Sequence, residues 1–375
     1  MKLNFKRFFG FLYSFKNVIL IWLLSHIFVF TLGFIVTYLN EGPSSPLSII
    51  MRQFCRWDSN IYIDIAKNWY VNVGEQRLYI VFFPLYPLLI RLTTFDYQYI
   101  NLSALLISNL SSLIASIYLF KLVKFEFEED VAERAVLYLN IYPTAYFMSA
   151  IYTEALFLAL IMTSVYYTRK ERWSIAGILG FLATLTRSFG VVLLPTMLVE
   201  YFLQRKWRWR KIDKNILWTG LVFVGFIIYL FINYQVTGNP FTFMEIESSH
   251  WYQNLDPMSG LNNAWRWATT ASFPDNIMLG SAQIIFAVLG LLSIVGSLLL
   301  HLRLSYAVYA FFTWMMSIST GWWISVPRYI MAVFPLFMLF GLFGRRRGFN
   351  YLAIAIFSTA LYSFTILFSS GQWAF

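Results

Sequence analysis

Asp58 is the first residue whose type and setting suggest chemistry. It lies in Arg56-Trp57-Asp58-Ser59-Asn60-Ile61-Tyr62-Ile63-Asp64-Ile65-Ala66, just past the first long apolar run, where acids, a base and aromatic rings crowd together. A carboxylate at such an edge can take a proton from an attacking hydroxyl, and Asp is equally a favoured helix N-cap; the two roles are compatible. Glu154, Arg187 and Arg328 also stand at the ends of apolar runs. Charges in such places either face a cavity or snorkel to the interface, which is easy for an arginine and harder for a short glutamate. Arg328, in Ser325-Val326-Pro327-Arg328-Tyr329, offers a planar fork that suits a phosphate, or else an interfacial anchor.

The remaining polar residues carry weaker signals. After Asp58 the pattern is helical, with Asn60, Asp64 and Lys67 on one face and Ile61, Ile65 and Trp69 on another. That is an amphipathic helix at a membrane surface, and Asp64 and Lys67, three apart, form either a solvated pair or a substrate contact. Glu245, Glu247 and His250 read by default as solvated loop charges. Three scattered histidines and a single cysteine, Cys55, argue against a histidine metal centre, a cysteine zinc site and an internal disulfide.

These residues need a scaffold, and composition names its class. The chain has 375 residues, 59% hydrophobic and 20% aromatic but only 12% charged, against roughly 25% charged in soluble domains. With a mean hydropathy of +0.62, an all-α polytopic membrane protein is expected. About 11 transmembrane helices fit, near 18–39, 100–122, 135–150, 152–168, 173–186, 189–203, 216–234, 277–300, 306–320, 329–343 and 351–368. They form a single domain over 1–375. A first outer loop, 40–99, carries Asp58, amphipathic helices and the proline-broken Phe82-Phe83-Pro84-Leu85-Tyr86-Pro87. A second large outer loop spans 236–276.

The net charge of +10 invites a nucleic-acid partner, but the basic residues form no single patch. They fall in short clusters between apolar runs, and 20 of the 28 lie on the inner side of this topology while 10 of the 18 acids lie outside. That asymmetry is how orientation is encoded, so the partner is the bilayer and no nucleic acid is expected. Trp207 and Trp209, among arginines, read as an inner aromatic belt. Asp58, Glu154, Arg187 and Arg328 all fall on the opposite, outer side. The basic head of 1–16, with no small-residue cleavage site after the first apolar run, reads as the start of a retained span.

Trp57-Asp58 with Tyr62 and Ile65-Ala66, followed by Phe82-Phe83-Pro84-Leu85-Tyr86-Pro87-Leu88, resembles the opening of the PIG-V family. That family contains the second mannosyltransferase of GPI-anchor synthesis and many prokaryotic relatives. Tyr142-Pro143 through Tyr152-Thr153-Glu154-Ala155-Leu156-Phe157 resembles its central block, Thr186-Arg187 the turn that follows, and Pro327-Arg328-Tyr329 with Phe334-Pro335 its C-terminal block. Ser59 stands where the family often has Ala, and 237–276 matches only loosely.

The resemblance implies a GT-C-type membrane glycosyltransferase that moves a sugar, mannose by resemblance, from a polyprenyl-phosphate donor to a hydroxyl of a glycolipid, glycan or protein. It places the site on the extracytoplasmic face, in the plasma membrane for a prokaryotic protein, and maps an essential acid onto Asp58. Trp57, Asp64, Lys67, Glu154, Arg187, His250, Arg328 and Tyr329 are then candidate substrate contacts, and neither a metal nor another cofactor is expected. The rival class is a lipid or glycan transporter or flippase. It would call for inverted repeats and broken helices at the midplane, and no repeat relates the two halves of this chain.

Overall fold

The computed structural model describes Gly10 and residues 13–375. The basic residues Lys2, Lys6 and Arg7 of the expected inner head lie outside the described residues. Among the described residues the chain is helical throughout, with one isolated antiparallel bridge between Leu255 and Thr320. The helices are α1 (Lys16–Glu41), α2 (Pro46–Phe54), α3 (Ser59–Asn68), α4 (Leu85–Thr93), α5 (Ile100–Val123) and α6 (Glu129–Asn140). They continue with α7 (Glu154–Arg169), α8 (Trp173–Thr186), α9 (Leu193–Gln204), α10 (Leu217–Thr237), α11 (Thr242–Ser249) and α12 (Pro257–Thr270). The last are α13 (Ala282–Leu299), α14 (Leu304–Ser317), α15 (Val326–Ile330), α16 (Phe334–Phe343) and α17 (Arg347–Ser369).

Five helical stretches among the described residues are long and apolar enough to cross a membrane unaided: Lys16–Glu41, Tyr97–Val123, Lys214–Thr237, Asn276–Leu299 and Arg347–Ser369. Such lengths match a hydrocarbon core about 30 Å thick, and the protein is an integral membrane protein. Among the shorter apolar helices, α7 and α16 are enclosed by protein over most of their length. In α7 every residue from Glu154 to Val165 is buried, so α7 is the central rod of the bundle, packed by α5 on one side and α8 on another. A helix apolar all round belongs in such a place.

Helix packing uses small residues, as expected where the lipid is as apolar as the side chains. A Cβ on Gly177 of α8 would meet the Trp218 carbonyl at 2.3 Å, and one on Gly225 of α10 would meet the Phe181 carbonyl at 2.6 Å. Helices α8 and α10 therefore touch backbone to backbone. At the end of the bundle away from Asp58, the buried Glu200 ties three helices together. It accepts from Arg303 Nη2 at 2.8 Å, Ser305 Oγ at 2.7 Å and Gln204 Nε2 at 2.8 Å, and Arg169 lies 3.5 Å away.

Two expected spans are drawn differently. The run 329–343 is broken at 331–333, between α15 and α16, just before Pro335. The run 135–150 is not one helix: α6 starts earlier, at Glu129, where Glu129 and Asp130 suit the positive end of a helix. It stops at Asn140, three residues before Pro143. Residues 141–153 then run through buried turns, including a 3₁₀ segment at Ala145–Met148. Irregular backbone at this depth is tolerated only inside protein, and here tyrosines tie it down. Tyr142 donates to the Pro327 carbonyl at 3.2 Å, Tyr152 to the Arg56 carbonyl at 3.0 Å, and Tyr146 to the Ala374 carbonyl.

Candidate active site

The segment before α3 holds Asp58 in place. Arg56 pairs with Glu41 and donates to the Ser369 carbonyl at 2.8 Å, while Ser59 donates to the Phe54 carbonyl at 3.1 Å. Asp58 occupies the N-cap position of α3, yet its side chain makes no capping hydrogen bond. The carboxylate is thereby free to face Arg328, whose Nη1 lies 3.6 Å from Asp58 Oδ2.

Glu154 opens α7, where the helix dipole favours a negative charge. Arg187 ends α8 with an extended backbone, and its Nη1 pairs with Glu154 and donates to Thr153 Oγ1 at 3.1 Å. Arg328 sits in α15, a single turn that follows Ser325 and carries Pro327 near its start. Gln283 of α13 clamps this turn, accepting from the Val326 N–H at 2.9 Å and donating to the Ile324 carbonyl at 3.2 Å. The Arg328 guanidinium lies over the rings of Phe147, Tyr152 and Tyr329, at 5.1 to 5.5 Å, and its Nε is 2.9 Å from Glu154 Oε1. At 9% exposure, Arg328 is a buried cation and not an interfacial anchor. Glu154, 4% exposed, is shared by both arginines.

These groups surround a cavity of about 190 Å³ whose wall includes Asp58, Thr153, Arg187, Arg328, Tyr329 and Trp373. Tyr329 packs on Phe189 at 5.2 Å, with Arg187 over its ring at 5.4 Å. A narrow apolar slot lined by Phe157, Leu158, Phe189 and Ala332 opens beside the same two arginines. Neither Nε nor Nη2 of Arg187 donates to a described residue, so donors remain for a ligand. Burial pushes the Asp58 carboxyl above the ordinary aspartate range, against the pull of Arg328.

The structure brings Asp58, Glu154, Arg187, Arg328 and Tyr329 together; it does not bring the other candidates into this cavity. Trp57, in the left-handed backbone region, is 45% exposed and packs edge-on against Trp373 at 5.2 Å. Asp64 accepts from Asn68 and Gln76, each at 2.8 Å, which serves the loop fold. Lys67 is exposed, and His250 is exposed beside Trp251.

Glu247 departs from the solvated-charge reading. It lies half-buried on the cavity wall with Trp251 and Gln253, and burial, together with the Asp58 charge, lifts its carboxyl to about 7. Its signal in the sequence was an acid in the second outer loop, which pattern alone cannot tell from any loop acid. Trp373 carried no signal at all. Among the described residues, no three His, Cys, Asp or Glu side chains are grouped as a metal site requires.

The architecture is the GT-C fold, an all-helical membrane bundle. It is similar to ArnT from Cupriavidus metallidurans bound to undecaprenyl phosphate, with a TM-score of 0.55 at 16% identity over 89% of this chain and 62% of that one. The chain thus spans less than two thirds of that protein's length. A looser correspondence, TM-score 0.44 at 12% identity, relates 93% of the chain to 55% of the Archaeoglobus fulgidus oligosaccharyltransferase tethered with an acceptor peptide. The family described as dolichyl-phosphate-mannose-protein mannosyltransferase matches residues 84–233. No curated protein matches the chain.

Proposed function

We propose that the protein is a membrane glycosyltransferase that moves a sugar from a polyprenyl-phosphate donor to an acceptor hydroxyl. The observation that carries this reading is the meeting of Asp58, Arg187 and Arg328 at one cavity, beside an apolar slot, from positions 270 residues apart. The reaction needs three things: a base for the hydroxyl, cations for the departing phosphate and a lipid path for the polyprenyl chain. The site offers the first two; the apolar slot beside the arginines is narrow, about 10 Å³, and marks only the side from which a lipid chain would approach.

In this reading the Asp58 carboxylate accepts the hydroxyl proton as the acceptor oxygen bonds to the anomeric carbon. The bond from that carbon to the phosphate oxygen breaks, and the polyprenyl phosphate leaves with its electron pair. Arg328 and Arg187 neutralise the charge that builds on the leaving oxygen, in a buried setting where such help is strongest. Attack from the face opposite the phosphate inverts the anomeric centre. Glu154 sets the two guanidiniums and need not touch substrate. Two fixed guanidiniums supply the positive charge, so the reading requires no metal.

Mannose is favoured by the PIG-V-type motifs and by the mannosyltransferase family match over 84–233. The undecaprenyl phosphate bound by ArnT supports a lipid-linked donor. The charge distribution supports an extracytoplasmic site, in the plasma membrane for a prokaryotic protein. The test is sugar transfer by purified protein in liposomes, with polyprenyl-phosphate mannose offered against a nucleotide sugar and a panel of lipid and glycan acceptors. Transfer from the lipid donor alone supports the reading; transfer from the nucleotide sugar alone, or from neither, overturns it.

A further inference from the structure

A second concavity lies at the same end of the bundle, separated from the Asp58 cavity by a wall one chain thick. It is an open groove of about 450 Å³, within the roughly 300–1,000 Å³ of small-molecule sites. The wall is the segment 251–254, whose residues alternate sides: Trp251 and Gln253 line the Asp58 cavity, while Tyr252 and Asn254 line the groove. On the facing segment, Trp322 lines the groove and Ile324 the cavity. The two segments are stitched by Gly321 N–H to the Asn254 carbonyl at 2.7 Å, Asp256 N–H to the Ser319 carbonyl at 3.1 Å and Gln253 Nε2 to the Trp322 carbonyl at 3.1 Å.

Helix α12 supplies the far side. Its exposed apolar residues Met258, Leu261 and Trp265 share one stripe, suited to a membrane surface. Ser259, Asn263, Arg266 and Trp267 form a stripe on another face and line the groove. The groove therefore combines three aromatic rings with hydrogen-bonding groups. Tyr252 and Trp322 stand 6.1 Å apart with their planes tilted by 59°. Asn263 is fixed by its bond to the Gly321 carbonyl at 2.9 Å and accepts from Arg266 Nη2 at 3.3 Å. The amide nitrogen of Asn254 and the other guanidinium nitrogens of Arg266 donate to no described residue.

Charge narrows the occupant. Arg266 and Asp256 offset one another, so the groove favours neither a phosphate nor a cation. Asp256 caps α12, accepting from the Ser259 N–H at 3.0 Å and Ser259 Oγ at 2.6 Å, so the free groups are the amide and guanidinium donors. A ligand with apolar C–H faces for the rings and hydroxyl oxygens for those donors is a pyranose. We propose that this groove is a binding subsite for the carbohydrate chain of the acceptor, holding sugar units beyond the one whose hydroxyl enters the Asp58 cavity. The inference rests on the transferase reading for the word acceptor, and on the groove alone for carbohydrate.

The test is isothermal titration of the full chain in nanodiscs with three neutral trisaccharides: mannotriose, maltotriose and tri-N-acetylchitotriose. The expected result is saturable binding of at least one, weakened at least tenfold in Trp322→Ala and in Tyr252→Ala and kept within threefold in Trp322→Phe. Tyr252 is 63% exposed, so its truncation leaves the packed interior intact if Trp322→Ala fails to fold. No saturable binding of any of the three to the wild type, or binding unchanged in Tyr252→Ala and a folded Trp322→Ala, overturns the proposal. The two readings fail separately. Trisaccharide binding without sugar transfer from any lipid donor removes the transferase reading and keeps the groove. Transfer to a simple lipid alcohol without trisaccharide binding does the reverse.

Discussion

Replacing Asp58 with Asn exchanges a proton acceptor for a neutral amide of nearly the same shape. The structure separates what this should and should not change. The Asp58 side chain makes no capping bond to α3, and its ion pair with Arg328 is long, at 3.6 Å. The roughly 1 kcal/mol that a working N-cap contributes is therefore not at stake. Burial holds the Asp58 carboxyl above its usual range, so the ionised acid opposes folding and the neutral amide should leave the unfolding midpoint in detergent unchanged or raise it.

Catalysis is another matter. Loss of a general base lowers rate by about 10²–10⁴-fold, or roughly 3–5 kcal/mol of barrier at about 1.4 kcal/mol per decade. The loss should fall on kcat. The KM for the lipid donor should hold or drop, because Arg328 sheds a competing carboxylate and keeps its charge for the phosphate. Steady-state transfer from polyprenyl-phosphate mannose, with donor concentration varied, measures both. A kcat within threefold of wild type refutes the base assignment. A raised donor KM with unchanged kcat makes Asp58 a donor contact instead.

Glu154→Gln should do the opposite, because it removes the buried carboxylate between two guanidiniums. Breaking such a pair costs about 3–5 kcal/mol, seen as a large drop in the thermal midpoint or as loss of folded protein. Arg328→Lys keeps the charge but not the planar fork, so the donor KM should rise by about tenfold or more with a smaller effect on stability. Glu247, with a carboxyl lifted to about 7, is protonated below neutrality and gains charge as pH rises through 7. That negative charge repels the donor phosphate, so donor KM should climb between pH 6 and 8, and Glu247→Gln should flatten the climb; an identical pH profile in the variant rejects this role.

The scaffold was largely legible in the sequence. Apolar runs as long as the bilayer is thick have few alternatives to helix, and α1, α5, α10 and α17 lie where their runs lie. Where a run mixed charge and proline the reading failed in detail: 135–150 holds the end of α6 and a buried turn, because the acids at 129 and 130 favour an earlier helix start and Pro143 forbids continuation. That four charged residues gather at one end of the bundle was legible too. Asp58, Glu154, Arg187 and Arg328 could be placed at one face by alternating spans and counting charge.

What only the tertiary structure decided is which of these polar residues meet. Asp58 and Asp64 lie on or beside one amphipathic helix and look equally available in the sequence. The fold turns Asp58 to Arg328 and spends Asp64 on Asn68 and Gln76. Glu247 and His250 are three residues apart in one loop, yet one enters the cavity wall and the other faces outward. Trp373 reaches the cavity from the end of the described chain. Hydropathy is a property of each residue and its near neighbours, and it survives in one dimension. The convergence of charges and rings is a property of packed helices hundreds of residues apart, and no local pattern encodes it.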